Sequence, residues 1–170
     1  SEPTRDTAAQ LNGTTKSPSG TSLQGVMGLG DDLPAAMRRI GELTPPARYR
    51  RSVTLGCSAG GLAAVWTAVE LGFNRGVSVG GVDAGAVAGH VSMEEFDVSG
   101  FEASVRRRLK LPEILLVFGE GNARDSRMAD RMAKVVPSRF VTVHGASDHN
   151  VLYDVYKAGR LTEFLQELIA

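Results

Sequence analysis

The sequence predicts an α/β fold, a three-layer sandwich in which a mainly parallel sheet is covered by helices on both faces. Three observations lead to this prediction. Short apolar runs alternate along the chain with longer segments of helical periodicity. These runs are apolar on both faces, which is typical of buried parallel strands. The 170 residues contain no internal repeat and have the length of one domain.

Composition excludes several classes of function. Lys and Arg number 19, and Asp and Glu also number 19, so nothing favours nucleic acid or an anionic membrane surface as a partner. No apolar run approaches the roughly 20 residues of a transmembrane helix, and no signal segment is evident at the N-terminus. Cys57 is the only cysteine, which excludes an intrachain disulfide and a thiolate metal site. We therefore expect a cytoplasmic protein without a metal or an organic cofactor.

The first part of the chain contains one predicted helix. Residues 1–22 are rich in Ser, Thr, Gly and Pro, with Leu11 as the one large apolar residue, so we expect a loop or disorder there. The folded domain is then residues 23–170. A helix is predicted to begin near Asp32, because Pro34 follows this acidic cap in the first turn, and to end before a Pro-Pro pair.

The rest of the chain alternates between strands and helices. The predicted strands are Ser52–Leu55, Gly76–Val79, Glu113–Phe118 and Arg139–Val143, and the predicted helices are Gly60–Leu71, Phe101–Leu109, Ser126–Val135 and Val151–Leu168. Residues 84–111 are mixed in character. They are either a lid, in which Met93, Phe96 and Phe101 contribute to an apolar wall over a pocket, or a crossover helix that packs on the sheet.

The turn after the first strand carries the strongest functional signal. The segment Gly56-Cys57-Ser58-Ala59-Gly60 matches G-x-S-x-G and lies between an apolar run and a helix of small residues. This is the pattern of a nucleophile elbow, a sharp turn that exposes the serine and requires glycine where a Cβ would crowd the strand against the helix. We therefore predict that Ser58 is a nucleophile. Cys57 is expected to pack in the sheet as a buried structural cysteine.

A second segment, Gly76-Val77-Ser78-Val79-Gly80, also matches G-x-S-x-G. It lies inside a predicted strand and no convincing helix follows it, so Ser78 is interpreted as a strand residue. The glycines around Ser58 lack the lysine of a phosphate-binding loop, and nucleotide binding is not indicated. The basic cluster Arg106-Arg107-Arg108 is interpreted as a solvated helix face.

A nucleophilic serine needs a base, and a third group must orient that base. Among the three histidines, His149 lies just after the last predicted strand and just before the last helix. Because loops at the carboxyl ends of parallel strands line one edge of a sheet, His149 and Ser58 can meet there. His144 ends its strand and is expected in packing or solvent, and His90 falls in the irregular middle segment. His149 is therefore the predicted base.

Two aspartates compete for the third position. Asp125 follows the strand that ends at Phe118, and it is also placed to cap the helix that begins at Ser126. Asp83 follows the preceding strand. We favour Asp125, which gives the chain order serine, acid, histidine, and Asp83 stays open as the alternative.

From about residue 25 to residue 170 the sequence resembles the C-terminal part of an α/β-hydrolase. The resemblance is carried by the glycine-rich turn at Ser58, the strand-then-acid segment that leads to Asp125 and the strand-then-histidine segment that ends at His149. It implies a serine hydrolase, an esterase or acyl transferase, that attacks a small-molecule ester or related acyl bond and forms an acyl-enzyme. It also implies that the backbone N–H of Ala59 is one oxyanion donor.

The chain departs from the family pattern in two ways. Only about 50 residues precede the elbow, so we expect the usual first strands to be missing, together with the loop that supplies a second oxyanion donor. Gly25 or the segment 28–30 is a candidate substitute. In the family, the acid usually lies at the position that Asn122 occupies here, whereas Asp125 lies three residues later.

These departures leave two interpretations of the chain. It is either a fragment of a longer protein or a reduced hydrolase whose exposed sheet edge is covered by a partner or a further chain segment. The alternative function is that of a catalytically silent domain used for binding or assembly in a larger protein.

Overall fold

The structure is a computed structural model that describes residues 28–83 and 99–170. The loop predicted at residues 1–22 therefore lies outside the described residues. The same applies to further residues considered above: Gly25, His90, Met93 and Phe96.

Four strands form the sheet: β1 (Val53–Cys57), β2 (Arg75–Val79), β3 (Glu113–Gly119) and β4 (Arg139–Val143). Their order in space is β1-β2-β3-β4, and each strand pairs in parallel with the next one along the chain. The prediction of a parallel sheet in an α/β fold is confirmed, and each strand lies within two residues of its predicted bounds.

Six α-helices accompany this sheet in the described residues: α1 (Leu33–Leu43), α2 (Ala59–Leu71), α3 (Ser99–Arg107), α4 (Ala123–Val135), α5 (Val151–Lys157) and α6 (Leu161–Ile169). Buried residues of α2, α3 and α4 belong to one core cluster, so these three helices lie on one face of the sheet. Together with α1 they form a core against Ile114, Leu116 and Phe118 of β3. The opposite face packs on α5 and α6, which completes the three layers.

The segment predicted as one helix over Val151–Leu168 is two helices, and that prediction is wrong. Gly159 lies between α5 and α6 with φ of +70°, a left-handed conformation that ends helices and favours glycine. The spacing of apolar residues continues across the break, because Val155 in α5 and Phe164 in α6 both pack on the sheet. In the sequence, the apolar spacing indicates one continuous helix, but Gly159 indicates a helix end, and the structure follows the glycine.

Among the described residues, the outer strand β1 is covered by α2 on one face and only partly covered on the other, where Val53 packs on the core. The Thr54 hydroxyl donates to the carbonyl oxygen of Ala64 in α2, at 2.7 Å, so Thr54 faces that helix. Side chains alternate along a strand, so Leu55 and Cys57 point to the other face. Leu55 is 39% exposed and Cys57 is also exposed. The expectation of a buried Cys57 is therefore wrong.

A buried arginine ties the first residues of β2 and β3 to the last helix. Arg75 is 7% exposed, and its guanidinium donates two hydrogen bonds to the Glu113 carboxylate, at 2.6 and 2.8 Å. A third hydrogen bond, of 2.7 Å, goes to the carbonyl oxygen of Leu168 in α6. The charge of Arg75 is thus paired, and its remaining donors satisfy a carbonyl at the end of a helix.

Glu113→Ala should destabilise the fold, because it leaves the buried Arg75 charge with a backbone carbonyl as its main partner. We expect the free energy of unfolding to fall by about 1–3 kcal/mol in urea titrations. Glu163→Ala is the matched control, since Glu163 pairs with Arg160 at 3.7 Å on an exposed surface. It should change the free energy by less than about 0.5 kcal/mol. Equal losses in the two variants contradict the role given to Arg75.

Candidate active site

The turn between β1 and α2 holds Ser58 in a strained backbone conformation. Its φ of 53° and ψ of −127° make it the residue other than glycine with positive φ in the described part of the chain. Two backbone hydrogen bonds fix the turn. The Ser58 N–H donates to the carbonyl oxygen of Val79 at 3.0 Å, and the Gly61 N–H donates to the carbonyl oxygen of Ser58 at 2.9 Å.

Gly56 lets the strand and the helix meet at this turn. A Cβ on Gly56 would collide with the backbone carbonyl of Gly60 and would lie 3.0 Å from the Cβ of Ala64. Residue 56 therefore has no room for a side chain while α2 begins directly after β1. This is the physical reason for the first glycine of the G-x-S-x-G spacing, which sequence reasoning identified correctly.

His149 reaches Ser58 from the loop between β4 and α5. Its Nε2 lies 2.9 Å from the Ser58 Oγ, although the two residues are 91 positions apart in the chain. On the other side of the ring, Nδ1 lies 2.9 Å from Oδ2 and 3.1 Å from Oδ1 of Asp125. The His149 side chain is 37% exposed, and that of Asp125 is 1% exposed. The structure thus brings together the three residues that the sequence singled out, and their catalytic roles stay predictions.

Asp125 lies in the first turn of α4 and does not cap it, which corrects the alternative role considered from the sequence. The N-cap is Asn122, whose Oδ1 accepts a hydrogen bond from the Asp125 N–H at 3.0 Å. The Asn122 amide also donates to Oδ2 of Asp125 at 3.0 Å. Sequence reasoning missed this contact, although the spacing of a cap and an acid three residues later is the signal of a capping box.

The competing acid, Asp83, is bound elsewhere. It is 5% exposed, and its Oδ2 accepts a hydrogen bond from Nε of Arg131 in α4 at 2.7 Å and forms an ion pair with the same guanidinium, with an N···O distance of 2.5 Å. None of the hydrogen bonds between described residues joins Asp83 to His149. His144 is exposed and lies 3.2 Å from Glu120, which agrees with its expected position in solvent.

Ala59 is the first residue of α2, and its N–H makes no hydrogen bond within the described residues. Amides in the first turn of a helix lack partners inside the helix, and no described residue outside α2 accepts a hydrogen bond from this one. Gly28 and Gly30 lie before α1, and no backbone hydrogen bond of the described residues links them to the turn at Ser58.

A cavity of about 130 Å³ opens beside the Ser58 hydroxyl. Its wall combines the polar atoms of Ser58 and His149 with apolar surface from other residues: Cys57, Val79, Val151, Leu152 and Tyr153. Within residues 28–83 and 99–170, no group of three or more His, Cys, Asp or Glu could hold a metal ion, and no helix is long and apolar enough to cross a membrane.

Neither a protein-family model nor a curated protein matches the sequence. Among solved structures, the chain is similar to a crystal structure of a predicted CIB-like hydrolase from Thermoplasma acidophilum, with a TM-score of 0.52 and 21% sequence identity. The match covers 81% of this chain and 61% of that chain, so this chain spans less than two thirds of the length of its structural neighbour. The similarity shows an α/β-hydrolase-like fold.

The thiol of Cys57 should react slowly with iodoacetamide at neutral pH. Cys57 reaches solvent, but the protein around it still removes part of the water from the thiol, and this desolvation raises the pKa of Cys57 and lowers the fraction of reactive thiolate at pH 7. We expect the alkylation rate, measured by mass spectrometry from pH 6 to pH 10, to rise at higher pH than the rate of free cysteine in the same buffers. A rate that levels off below pH 7 contradicts this and makes Cys57 a competing nucleophile.

Proposed function

We propose that this chain is a serine hydrolase domain that cleaves an ester or related acyl bond through an acyl-enzyme, as an esterase or an acyl transferase. The observation that carries the proposal is the continuous line of hydrogen bonds from Ser58 through His149 to Asp125, with links of 2.9 Å on both sides of the ring. The strained turn at Ser58 and the hydrolase-like fold of the structural neighbour support it.

In the first step, the Ser58 Oγ attacks the acyl carbon and its proton moves to Nε2 of His149. The new bond joins Oγ to carbon, and the electron pair of the carbonyl double bond moves to oxygen. The N–H of Ala59 donates a hydrogen bond to this oxyanion. Such a donor typically contributes a factor of about 10² to 10³ to kcat, because it is already oriented before charge develops.

In the following steps, the bond between the acyl carbon and the leaving oxygen breaks, and Nε2 of His149 gives its proton to that oxygen. The acyl group is then held on Ser58. Water or an acceptor alcohol attacks the same carbon and loses a proton to His149, and the proton returns to Oγ as the acyl group leaves. Hydrolysis and transfer differ only in the nucleophile that attacks the acyl-enzyme, which is water in hydrolysis and an alcohol in transfer.

Asp125 has a positioning role in this proposal. Its carboxylate accepts the Nδ1–H of His149, which leaves the lone pair of Nε2 directed at the Ser58 hydroxyl and stabilises the imidazolium that forms. The Asn122 amide and the first turn of α4 both favour the negative charge of this carboxylate.

One observation favours the second candidate, a catalytically silent domain used for binding or assembly in a larger protein. β1 pairs only with β2 in the described residues, and its exposed Leu55 and Cys57 are suited to being covered by other protein. In this alternative the same hydrogen bonds at Ser58 have a structural purpose.

Labelling with a fluorophosphonate probe, followed by mass spectrometry, separates the two candidates. The serine hydrolase predicts one adduct on Ser58, and His149→Ala should slow its formation by about 10³-fold or more, because the base is lost. His144→Ala is the matched control, since the His144 side chain is 86% exposed and away from Ser58. It should label at the wild-type rate. Absence of an adduct on the folded chain supports the silent domain.

The two aspartates give a second test of the proposal. Asp125→Asn should lower the labelling rate by about 10³- to 10⁴-fold, because the amide no longer accepts the proton on Nδ1 in the required tautomer. Asp83→Asn breaks the ion pair with Arg131 but leaves the ring of His149 unaffected. We expect its labelling rate to stay within about threefold of wild type, with a lower melting temperature. If Asp83→Asn instead slows labelling strongly and Asp125→Asn does not, Asp83 is the acid.

A further inference from the structure

The second G-x-S-x-G match places a serine, Ser78, inside the core, and the elbow at Ser58 does not explain why a serine is there. Ser78 lies in β2, is 2% exposed and is packed between two glycines. A Cβ on either Gly61 or Gly81 would collide with the Ser78 hydroxyl. The absence of side chains at Gly61 and Gly81 thus leaves room for the Ser78 hydroxyl inside the core.

Within the described residues, the Ser78 hydroxyl makes no hydrogen bond, either to a side chain or to the backbone. Buried hydroxyl groups almost always have a partner, since they lose their hydrogen bonds to water on folding. A valine or an alanine has no such requirement in a strand. No described residue satisfies the buried hydroxyl of Ser78, so a partner such as water is needed at this position.

A cavity beside Ser78 supplies the space for that partner. It has a volume of about 10 Å³, which is near the smallest volume that accommodates one water molecule. Its lining is mostly apolar and includes Leu116, Met128, Ala129 and Met132. The two polar side chains at the cavity are Ser78 and Asp125, and both are 2% exposed.

Asp125 can accept one more hydrogen bond. Its carboxylate already accepts from the Asn122 amide and from Nδ1 of His149. An ionised carboxylate has about four acceptor positions, so a further donor can bind without displacing either contact.

We propose that this cavity is a binding site for a single water molecule, which accepts a hydrogen bond from the Ser78 hydroxyl and donates one to the Asp125 carboxylate. Ser78 is thereby a positioning residue that acts on His149 through Asp125. The water site stands on the cavity alone, whereas its effect on catalysis rests on the proposed serine hydrolase. In this arrangement, Ser78 of the second G-x-S-x-G match influences the site at Ser58 of the first match through the Asp125 carboxylate.

The bound water lowers the affinity of the site for a proton. A donor on the carboxylate offsets part of its negative charge, so the Asp125–His149 pair attracts a proton less strongly. Removal of the donor should move the titration of the pair to higher pH, whichever of the two groups takes the proton. The inactive, protonated form then persists to higher pH.

The Ser78→Ala substitution leaves the other titratable groups around His149 in place. Cys57 and Tyr153 line the cavity of about 130 Å³ beside Ser58, and Asp148 precedes His149 in the chain. Asp83 follows β2 and is bound by Arg131 of α4. A change of only the Ser78 hydroxyl therefore reports on the contact with Asp125.

The first measurement is a high-resolution crystal structure of the whole chain. We expect an ordered water about 2.8 Å from the Ser78 Oγ and about the same distance from an oxygen of Asp125. A cavity without water, or a Ser78 hydroxyl bonded directly to protein atoms, overturns the proposal.

The second measurement compares Ser78→Ala with Ser104→Ala. Ser104 is also a buried serine on the same face of the sheet, 3% exposed, but its hydroxyl bonds to Glu70 at 2.5 Å and not to the site. In NMR titrations of the His149 ring, we expect the midpoint to move up by about half a pH unit in Ser78→Ala and to stay unchanged in Ser104→Ala. In kinetics, kcat should fall about tenfold in Ser78→Ala at a nearly constant KM.

The outcomes separate the water site from the proposed function. If Ser58 takes no label but the water is present and the His149 midpoint moves, the serine hydrolase is overturned and the Ser78 site stands. If Ser58 is labelled but the midpoint is the same in Ser78→Ala and wild type, the positioning role of Ser78 is overturned and the hydrolase stands. Equal shifts in both serine variants show general destabilisation and also overturn the site.

Discussion

The close approach of α2 to the end of β1 is the contact on which the rest of the site depends. It is possible because Gly56 has no side chain to meet the backbone of Gly60. Within the turn, Ser58 has a backbone conformation that costs about 1–3 kcal/mol, which the surrounding backbone hydrogen bonds and the packing of α2 must offset. The hydroxyl stands at the edge of the sheet only while the strand and the helix stay together.

Parallel strands in sequential order explain how distant residues meet at this edge. Ser58 follows β1, Asp125 is in the helix after β3, and His149 is in the loop after β4. The carboxyl ends of neighbouring parallel strands lie about 4.8 Å apart, so the segments that follow them converge on one region. Asp83, which follows β2, is turned toward α4 by Arg131, and this ion pair leaves Asp125 as the carboxylate at the ring.

Local sequence signals predicted the parallel sheet and the residues that meet at its edge, since apolar runs and the glycine turn act over a few residues. The failures have different causes. Cys57 is exposed because the face of β1 to which it points is only partly covered in the described residues, and this depends on how the helices pack on the sheet. Asn122 caps α4 in place of Asp125, because both side chains can cap and the position of the helix is decided by its packing. Apolar spacing concealed the break at Gly159, since α5 and α6 bury residues on the same face.

The contact between Arg75 and the last turn of α6 has a consequence for local unfolding. Helices at the end of a domain often fray independently of its core. Here, opening α6 removes a carbonyl partner from a buried guanidinium that also bridges to Glu113 in the neighbouring strand. We therefore expect α6 to open together with the sheet, and its amide hydrogens to exchange through openings that also disturb the amino ends of β2 and β3.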